Sequence, residues 1–311
     1  MSKTMRYSLV LLLTAAIWGF AFVAQAAGGD AIGPFTFNSI RNLIGALVLL
    51  PVILVMGRAG TGRAGKKPRS KDTRKQVILQ GAVIGFLLFV ATNLQQMGIT
   101  YGRSAGKAGF ITAFYLVLVP IIGILFGRKC PKATWLAVVL ALAGIYLISI
   151  SEAASLSWPD ILLLLSAFCF AVQILCVDRF MGDDADALHA VQLAMMEFLI
   201  CGILSGIPAL LFERQYWAEG ISAFLTPEAL GSVLYAGILS CGVAYTLQIV
   251  GQKNVPPTLA SLMMSFEAVF CVLGGWLLLG ETLTVRQLIG CALMFVAILI
   301  AQLAERKEVR T

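Results

Sequence analysis

The chain has 311 residues, of which 59% are hydrophobic and only 13% are charged, with a formal net charge of +7. Soluble domains carry about 25% charged residues, so this composition excludes an ordinary water-soluble domain. The basic residues lie in short connections rather than on an exposed fold, and the net charge therefore does not indicate a nucleic-acid partner.

Ten apolar stretches follow one another along the chain, and each is long enough to cross a hydrocarbon core of roughly 30 Å as a helix. They are residues 8–27, 35–56, 77–97, 105–126, 133–151, 159–178, 187–212, 228–250, 258–279 and 286–303. They lack the alternation of barrel strands, and a helix satisfies its own backbone polar groups in lipid. The predicted fold is all-α, an integral membrane protein with ten transmembrane helices that contact membrane lipid.

The first stretch has some features of a secretory signal, because Lys3 and Arg6 precede an apolar run that ends near Ala24-Gln25-Ala26. The run is longer than the apolar core of a typical signal peptide, and further stretches follow at once. We therefore expect a retained first helix.

The distribution of basic residues predicts the orientation, since Lys and Arg in short loops favour the cytoplasm. With the N-terminus inside, 18 of the 23 Lys and Arg residues fall on the cytoplasmic side, and eight of them lie in residues 57–76. Both termini would then be cytoplasmic, in a cell inner (plasma) membrane.

The chain also matches itself weakly. Residues 11–16 align with residues 162–167, and residues 125–129 align with residues 278–282, at shifts of 151 and 153. Each half contains five stretches, and an odd number makes the second half enter the membrane from the opposite side. The sequence thus predicts two inverted five-helix repeats, residues 1–153 and 154–311, with a site at their interface.

Several motifs carry a family resemblance in their order along the chain. They are Trp18-Gly19, Arg41, Gly109 to Pro120, Leu142 to Leu147, and Leu-Leu-Leu-Gly-Glu at 277–281. In this order the chain resembles the EamA family of the drug/metabolite transporter superfamily, over nearly its whole length. The resemblance implies a ten-helix carrier of small organic solutes, often an exporter of amino acids or related metabolites. Two departures are Gly127-Arg128-Lys129 in place of a Gly-Glu, and Glu267 in a normally apolar stretch.

Ionisable residues near the centre of a membrane helix are functional candidates, because an unpaired charge there costs several kcal/mol. Glu267 and Glu197 lie near the middle of the ninth and seventh stretches, and Arg41 lies about two turns inside the second. They could bind substrate or, for a carboxylate, a coupling proton. The alternative is a structural ion pair between Arg41 and either glutamate.

Polar and aromatic residues add weaker candidates for the lining of a binding cavity. They are Trp18, Asn38, Tyr115, Gln173 and Tyr245, with Asn93, Gln96 and Gln248 as further polar residues that either line the cavity or bond between helices. The seven cysteines contain no C-x-x-C pair, and small packing roles are favoured over metal or disulfide chemistry. The sequence therefore predicts no cofactor and no metal site.

Two other functions remain as alternatives, a membrane-embedded enzyme and a flippase of lipids or lipid precursors. An enzyme would need a catalytic constellation, but the chain has a single histidine, and residues 102–108 fall one residue short of a phosphate-binding loop. The G-x-x-x-G patterns at Gly81 and Gly202 permit close helix packing, within one protomer or in a weak homodimer.

Overall fold

The structure, a computed structural model, describes residues 3–61, 71–102, 105–128, 130–149, 157–182, 186–218, 224–279 and 284–308. The described backbone is helical apart from short turns. We number its main helical segments as spans in chain order: span 1 (Lys3–Ile32), span 2 (Pro34–Thr61), span 3 (Lys71–Gly102), span 4 (Ala105–Thr112 and Tyr115–Leu125), span 5 (Lys132–Ser149), span 6 (Trp158–Phe180), span 7 (Ala187–Phe212), span 8 (Pro227–Leu234, Tyr235–Tyr245 and Thr246–Gln252), span 9 (Pro257–Met264 and Glu267–Leu279) and span 10 (Val285–Glu308). A short helix, Arg214–Ala218, lies in the connection between spans 7 and 8.

The predicted all-α membrane fold is confirmed. In the described part, nine helices are long and apolar enough to cross a membrane, and span 5 contributes a shorter apolar helix, Lys132–Ile148. Large apolar side chains such as Leu79, Phe212 and Leu277 are exposed on the outer surface. An apolar surface of this kind is typical of a protein whose outer face contacts lipid.

The core lies between the first five spans and the last five. Span 2 packs on spans 7 and 8, span 3 packs on spans 6 and 7, span 1 packs on span 9, and span 5 packs on span 10. Each of these contacts joins one half of the chain to the other. The interior is therefore built mainly from residues that are far apart in sequence.

The glycine patterns noted in the sequence serve contacts within this chain. A Cβ atom added to Gly85 of span 3 would lie 2.8 Å from the carbonyl oxygen of Glu197 in span 7. A Cβ atom added to Gly202 of span 7 would lie 2.9 Å from Cγ of Leu43 in span 2. Both patterns allow the close packing of span 7 on its neighbours.

Spans 4 and 9 are interrupted by the same local turn, which the continuous apolar stretches did not predict. Each span tightens from i→i−4 to i→i−3 hydrogen bonding before its helix resumes. The matching bonds are Phe114 N to Ile111 O (3.1 Å) and Leu116 N to Ala113 O (3.0 Å) in span 4, and Phe266 N to Met263 O (3.4 Å) and Ala268 N to Ser265 O (3.2 Å) in span 9. The two breaks lie at positions 152 residues apart, within the range of the internal sequence match.

Span 8 has a different irregularity. Its central segment, Tyr235–Tyr245, is a π-helix. The corresponding part of span 3 is α-helical. Since π-helical segments widen a helix and often occur at functional sites, span 8 gives the interior a local asymmetry between the two halves.

Candidate functional site

A cavity with about 500 Å³ of empty space, its open mouth included, lies between the two halves. Spans 1 to 4 line it from one side, and spans 6, 8 and 9 line it from the other. The breaks in spans 4 and 9 face it directly, through Thr112 and Tyr115 and through Met264 and Glu267. The irregular backbone therefore occurs where it lines a cavity, as expected inside a membrane.

Much of the lining comes from corresponding positions of the two halves. Four pairs of lining residues are each separated by 152 positions, namely Trp18 and Phe170, Phe22 and Ile174, Thr112 and Met264, and Tyr115 and Glu267. Within the last two pairs the chemistry differs, since a hydroxyl group corresponds to a thioether and a phenol corresponds to a carboxyl group. The lining is thus repeated in position, but its chemistry is repeated only in part.

Tyr115 and Glu267 meet across the cavity. The Tyr115 hydroxyl donates a hydrogen bond to Oε1 of Glu267 at 3.3 Å, and both residues are buried. Each is the first residue of the helix that resumes after a break. The start of a helix favours negative charge, so the backbone as well as the Tyr115 hydroxyl stabilises a carboxylate at position 267.

Arg41 brings a positive charge to the same cavity. It is 2% exposed, its guanidinium carbon lies 5.4 Å from the centre of the Phe37 ring, and its Nε has no hydrogen-bond partner among the described residues. One ion pair among the described residues joins Arg128 to Asp178, near the ends of spans 4 and 6. Among the described residues, Arg41 forms no ion pair with Glu267 or Glu197, so the alternative of a structural ion pair between them is wrong.

Glu197 is fully buried and is not part of the cavity lining. Its Oε1 accepts a hydrogen bond from Nε2 of Gln173 at 2.8 Å, and Oε1 of Gln173 accepts one from Nε2 of Gln248 at 3.1 Å. Gln173 and Gln248 both line the cavity. The Glu197 carboxylate is thus connected to the cavity through the amide of Gln173.

Asn38 also lies away from the cavity. Its Nδ2 donates to the carbonyl oxygen of Thr92 at 3.0 Å and to Oδ1 of Asn93 at 3.1 Å. Asn93 in turn donates to the hydroxyl of Ser205 at 2.8 Å. These residues join spans 2, 3 and 7 by hydrogen bonds, as a helix-packing role requires.

Six of the eight candidate residues from the sequence line the cavity. They are Trp18, Arg41, Tyr115, Gln173, Tyr245 and Glu267. The rings of Trp18 and Tyr245 are in contact, with centroids 4.7 Å apart, and Nε1 of Trp18 has no partner in the described part of the chain. The cavity thus combines an aromatic wall with a small number of polar groups.

Two further glutamines, Gln25 and Gln95, line the cavity and were not predicted from the sequence. The predicted candidate next to Gln95 is Gln96, which instead donates to the carbonyl oxygen of Gln25 at 2.7 Å and bonds span 3 to span 1. Adjacent helical residues point about 100° apart, so only the rotation of span 3 decides which glutamine faces the cavity. Gln248 was predicted as a candidate and lies 153 positions after Gln95. The internal sequence match relates these two positions and could have indicated Gln95.

Gly19 brings span 1 close to the cavity carboxyl group. A Cβ atom added to Gly19 would lie 2.5 Å from Cβ of Phe270 and 2.6 Å from the carbonyl oxygen of Glu267. A side chain at position 19 would therefore push span 1 away from span 9. This contact explains the Gly next to Trp18, since the close approach places Trp18 and Glu267 in one cavity.

A helical membrane fold with a polar, charged cavity between two similar halves defines the class of membrane transporters. The chain belongs to the EamA-like transporter family, whose model matches residues 5–150 and again residues 157–302. The two matches begin 152 residues apart and suggest duplicated halves. The resemblance seen in the sequence is thus confirmed.

Relatives agree with this assignment. The chain is 27% identical to the uncharacterized transporter YwfM of Bacillus subtilis, over 97% of this chain and 95% of the relative. It is 25% identical to the uncharacterized inner membrane transporter YedA of Escherichia coli, over 93% and 88% of the two chains. A protein of known crystal structure shares the fold with a TM-score of 0.72 at 21% identity, over 98% and 99% of the two chains. This multi-pass membrane protein is therefore related to transporters, not to enzymes.

Proposed function

We propose that this chain is a secondary transporter that exports amino acids or related small metabolites by alternating access, with protons as the coupling ion. The supporting observation is a pair of opposite charges that share one cavity and do not neutralise each other. Arg41 and Glu267 both line the cavity, and neither forms an ion pair among the described residues.

The energy of buried charge favours a ligand that carries both signs. A charge buried without a partner costs several kcal/mol, and a ligand that supplies the partner recovers that cost on binding. A zwitterion could place its carboxylate at Arg41 and its ammonium group at Glu267. An amino acid satisfies both demands with one small molecule.

The rest of the lining suits a large apolar side chain. Trp18, Phe22, Phe170 and Tyr245 supply aromatic surface, whereas glutamine amides supply directional hydrogen bonds. Ligand sites commonly combine apolar walls with a few placed polar groups. L-Phenylalanine is therefore a suitable probe of the cavity.

For the transport cycle we propose that residues 1–153 and 154–311 are inverted repeats that exchange conformations. The support is the identical break in spans 4 and 9 and the cavity formed between the two halves. Discontinuous helices at corresponding positions often carry the site in transporters of this design.

For localisation we propose a cell inner membrane with both termini in the cytoplasm. The support is the excess of Lys and Arg in the connections assigned to the cytoplasmic side. The similarity to a transporter named as an inner membrane protein agrees with this membrane.

The position of Glu267 in the cavity supports the proposed proton coupling. When the ammonium group of a substrate leaves, the carboxylate loses its positive partner, and a proton can neutralise it in the same place. Substrate and proton would then occupy Glu267 in turn, which produces exchange. Glu267→Gln keeps the volume of the side chain and removes the charge, so we expect a folded protein that has lost most efflux.

The zwitterion is tested by the melting temperature of detergent-purified protein with three related probes. L-Phenylalanine carries both charged groups, phenethylamine lacks the carboxylate, and 3-phenylpropionate lacks the ammonium group. A ligand at 100 times its Kd stabilises the native state by about 2.7 kcal/mol. We expect L-phenylalanine to raise the melting temperature most, and equal shifts with all three probes would contradict the proposal.

Two charge variants and a control show which residue binds each charged group of the ligand. Arg41→Gln should make L-phenylalanine and phenethylamine equivalent, and Glu267→Gln should make L-phenylalanine and 3-phenylpropionate equivalent. Glu228→Gln alters an exposed carboxylate at the start of span 8 and should change neither comparison. Efflux of L-phenylalanine from vesicles at several pH values tests the coupling, and normal proton-dependent efflux by Glu267→Gln would rule it out.

A further inference from the structure

Glu267 already has a partner in the cavity when no substrate is present. The partner is the hydroxyl of Tyr115, which lies on the opposite half of the chain and donates at 3.3 Å to Oε1 of Glu267. This distance exceeds the usual range of about 2.5–3.0 Å for an O–H···O hydrogen bond. The contact is therefore a weak form of the interaction that a carboxyl group can make.

Resting on the proposed function, we propose that Tyr115 competes with the ammonium group of the substrate for Glu267 and thereby sets the affinity for amines. The phenol takes the place of the ammonium group in the empty cavity and gives way when substrate binds. A charged donor forms shorter and stronger hydrogen bonds to a carboxylate than a neutral hydroxyl does. Replacement of the Tyr115 hydroxyl by the ammonium group is consequently favourable, but the lost hydrogen bond from Tyr115 offsets part of the gain.

The location of the pair links this exchange to the movement of the two halves. Tyr115 and Glu267 occupy corresponding positions, 152 residues apart, and each begins the helix after a break. Their hydrogen bond joins span 4 to span 9 across the cavity. Displacement of Tyr115 by substrate would remove this contact between the halves, so ligand binding and the release of the halves would occur together.

Tyr115→Phe tests the competition, because it removes the hydroxyl and keeps the ring. We expect the affinity for L-phenylalanine and phenethylamine to rise about three- to tenfold, the range for losing one hydrogen bond of ordinary strength. The affinity for 3-phenylpropionate should stay unchanged, since this probe has no ammonium group. Maximal efflux should fall, because tighter binding without a returning competitor slows release.

The double variant Tyr115→Phe/Glu267→Gln shows whether the effect acts through Glu267. In the Glu267→Gln background, the tyrosine substitution should no longer change the affinity for either amine. Equal gains for all three probes, or a persisting gain in this background, would overturn the proposal.

A decrease in affinity for the amines would be equally decisive. If Tyr115 binds the substrate together with Glu267, Tyr115→Phe weakens phenethylamine binding, and the competition is refuted. Phenethylamine that binds neither the original protein nor Tyr115→Phe also refutes it. A different result would show that the proposed zwitterionic substrate is wrong while the competition holds. All three probes would then bind the original protein equally, and Tyr115→Phe would still raise the affinity for the two amines alone.

Discussion

Replacement of Glu213 should destabilise the protein strongly, because its carboxylate caps a helix that belongs to the other half of the chain. Glu213 follows span 7 and is 4% exposed. It accepts hydrogen bonds from the backbone N–H groups of Phe35 at 2.9 Å and Thr36 at 2.7 Å, and from the Thr36 hydroxyl at 2.7 Å. These groups form the first turn of span 2, where helix N–H groups lack partners within the helix and negative charge is favourable.

The magnitude follows from the bonds that each substitution removes. Glu213→Ala removes the acceptor of all three bonds, and a hydrogen bond to a charged group contributes about 1.5–3 kcal/mol. The three share one side chain and are not additive, so we expect a loss of about 3 kcal/mol. Thr36→Val removes only the hydroxyl bond, one of the three that together contribute this loss, and should cost about 1 kcal/mol.

The assay is the melting temperature of the detergent-purified variants. At about 2–4 °C per kcal/mol for a large domain, Glu213→Ala should lower it by about 6–12 °C and Thr36→Val by about 2–4 °C. Glu213→Gln keeps an acceptor oxygen but loses the charge, and it should fall between them. If Glu213→Ala lowers the melting temperature no more than Thr36→Val does, the capping argument is wrong.

Three further substitutions test packing, buried hydrogen bonding and orientation. Gly19→Ala should lower the free energy of unfolding by about 1–3 kcal/mol and weaken L-phenylalanine binding, because the new methyl group meets the backbone at Glu267. The matched control is Gly231→Ala, where a Cβ atom meets nothing within 4 Å, and it is measured in the same melting experiment. Glu197→Gln should change the free energy of unfolding by less than about 1 kcal/mol, since an amide oxygen still accepts the hydrogen bond from Gln173. Glu197→Leu removes the acceptor and should lower it by about 1–3 kcal/mol. Equal melting temperatures of the two variants would contradict the role of this hydrogen bond. A cysteine at Gly62 should be protected in intact cells from an impermeant thiol reagent, and labelling from outside would reverse the proposed topology.

The sequence indicated the two charged residues of the cavity because the cost of a charge in a membrane does not depend on the details of packing. Arg41 and Glu267 interrupt apolar stretches, and both line the cavity. The same reasoning selected Glu197, which the structure places behind Gln173 instead. Depth in a helix is visible in the sequence, but the direction of the side chain around the helix axis is not.

The neighbouring residues Gln95 and Gln96 show the same limit. Both are polar and lie at nearly the same depth, but Gln95 lines the cavity while Gln96 bonds to span 1. The sequence also did not predict the breaks in spans 4 and 9, since neither turn contains a glycine or a proline. A local turn of this kind is stabilised by contacts with other spans rather than by a turn-forming residue.

The sequence by itself determined the class of protein, the approximate position of each span and the match between the halves. These properties follow from composition and from the length of apolar segments, because lipid requires each segment to satisfy its own backbone. Only the tertiary structure decided which polar residues share the cavity, that Arg41 has no carboxylate partner in the described chain, and that Tyr115 bonds to Glu267. The physical reason is that these contacts join residues as far as 152 positions apart, and they depend on how ten helices rotate and pack against one another.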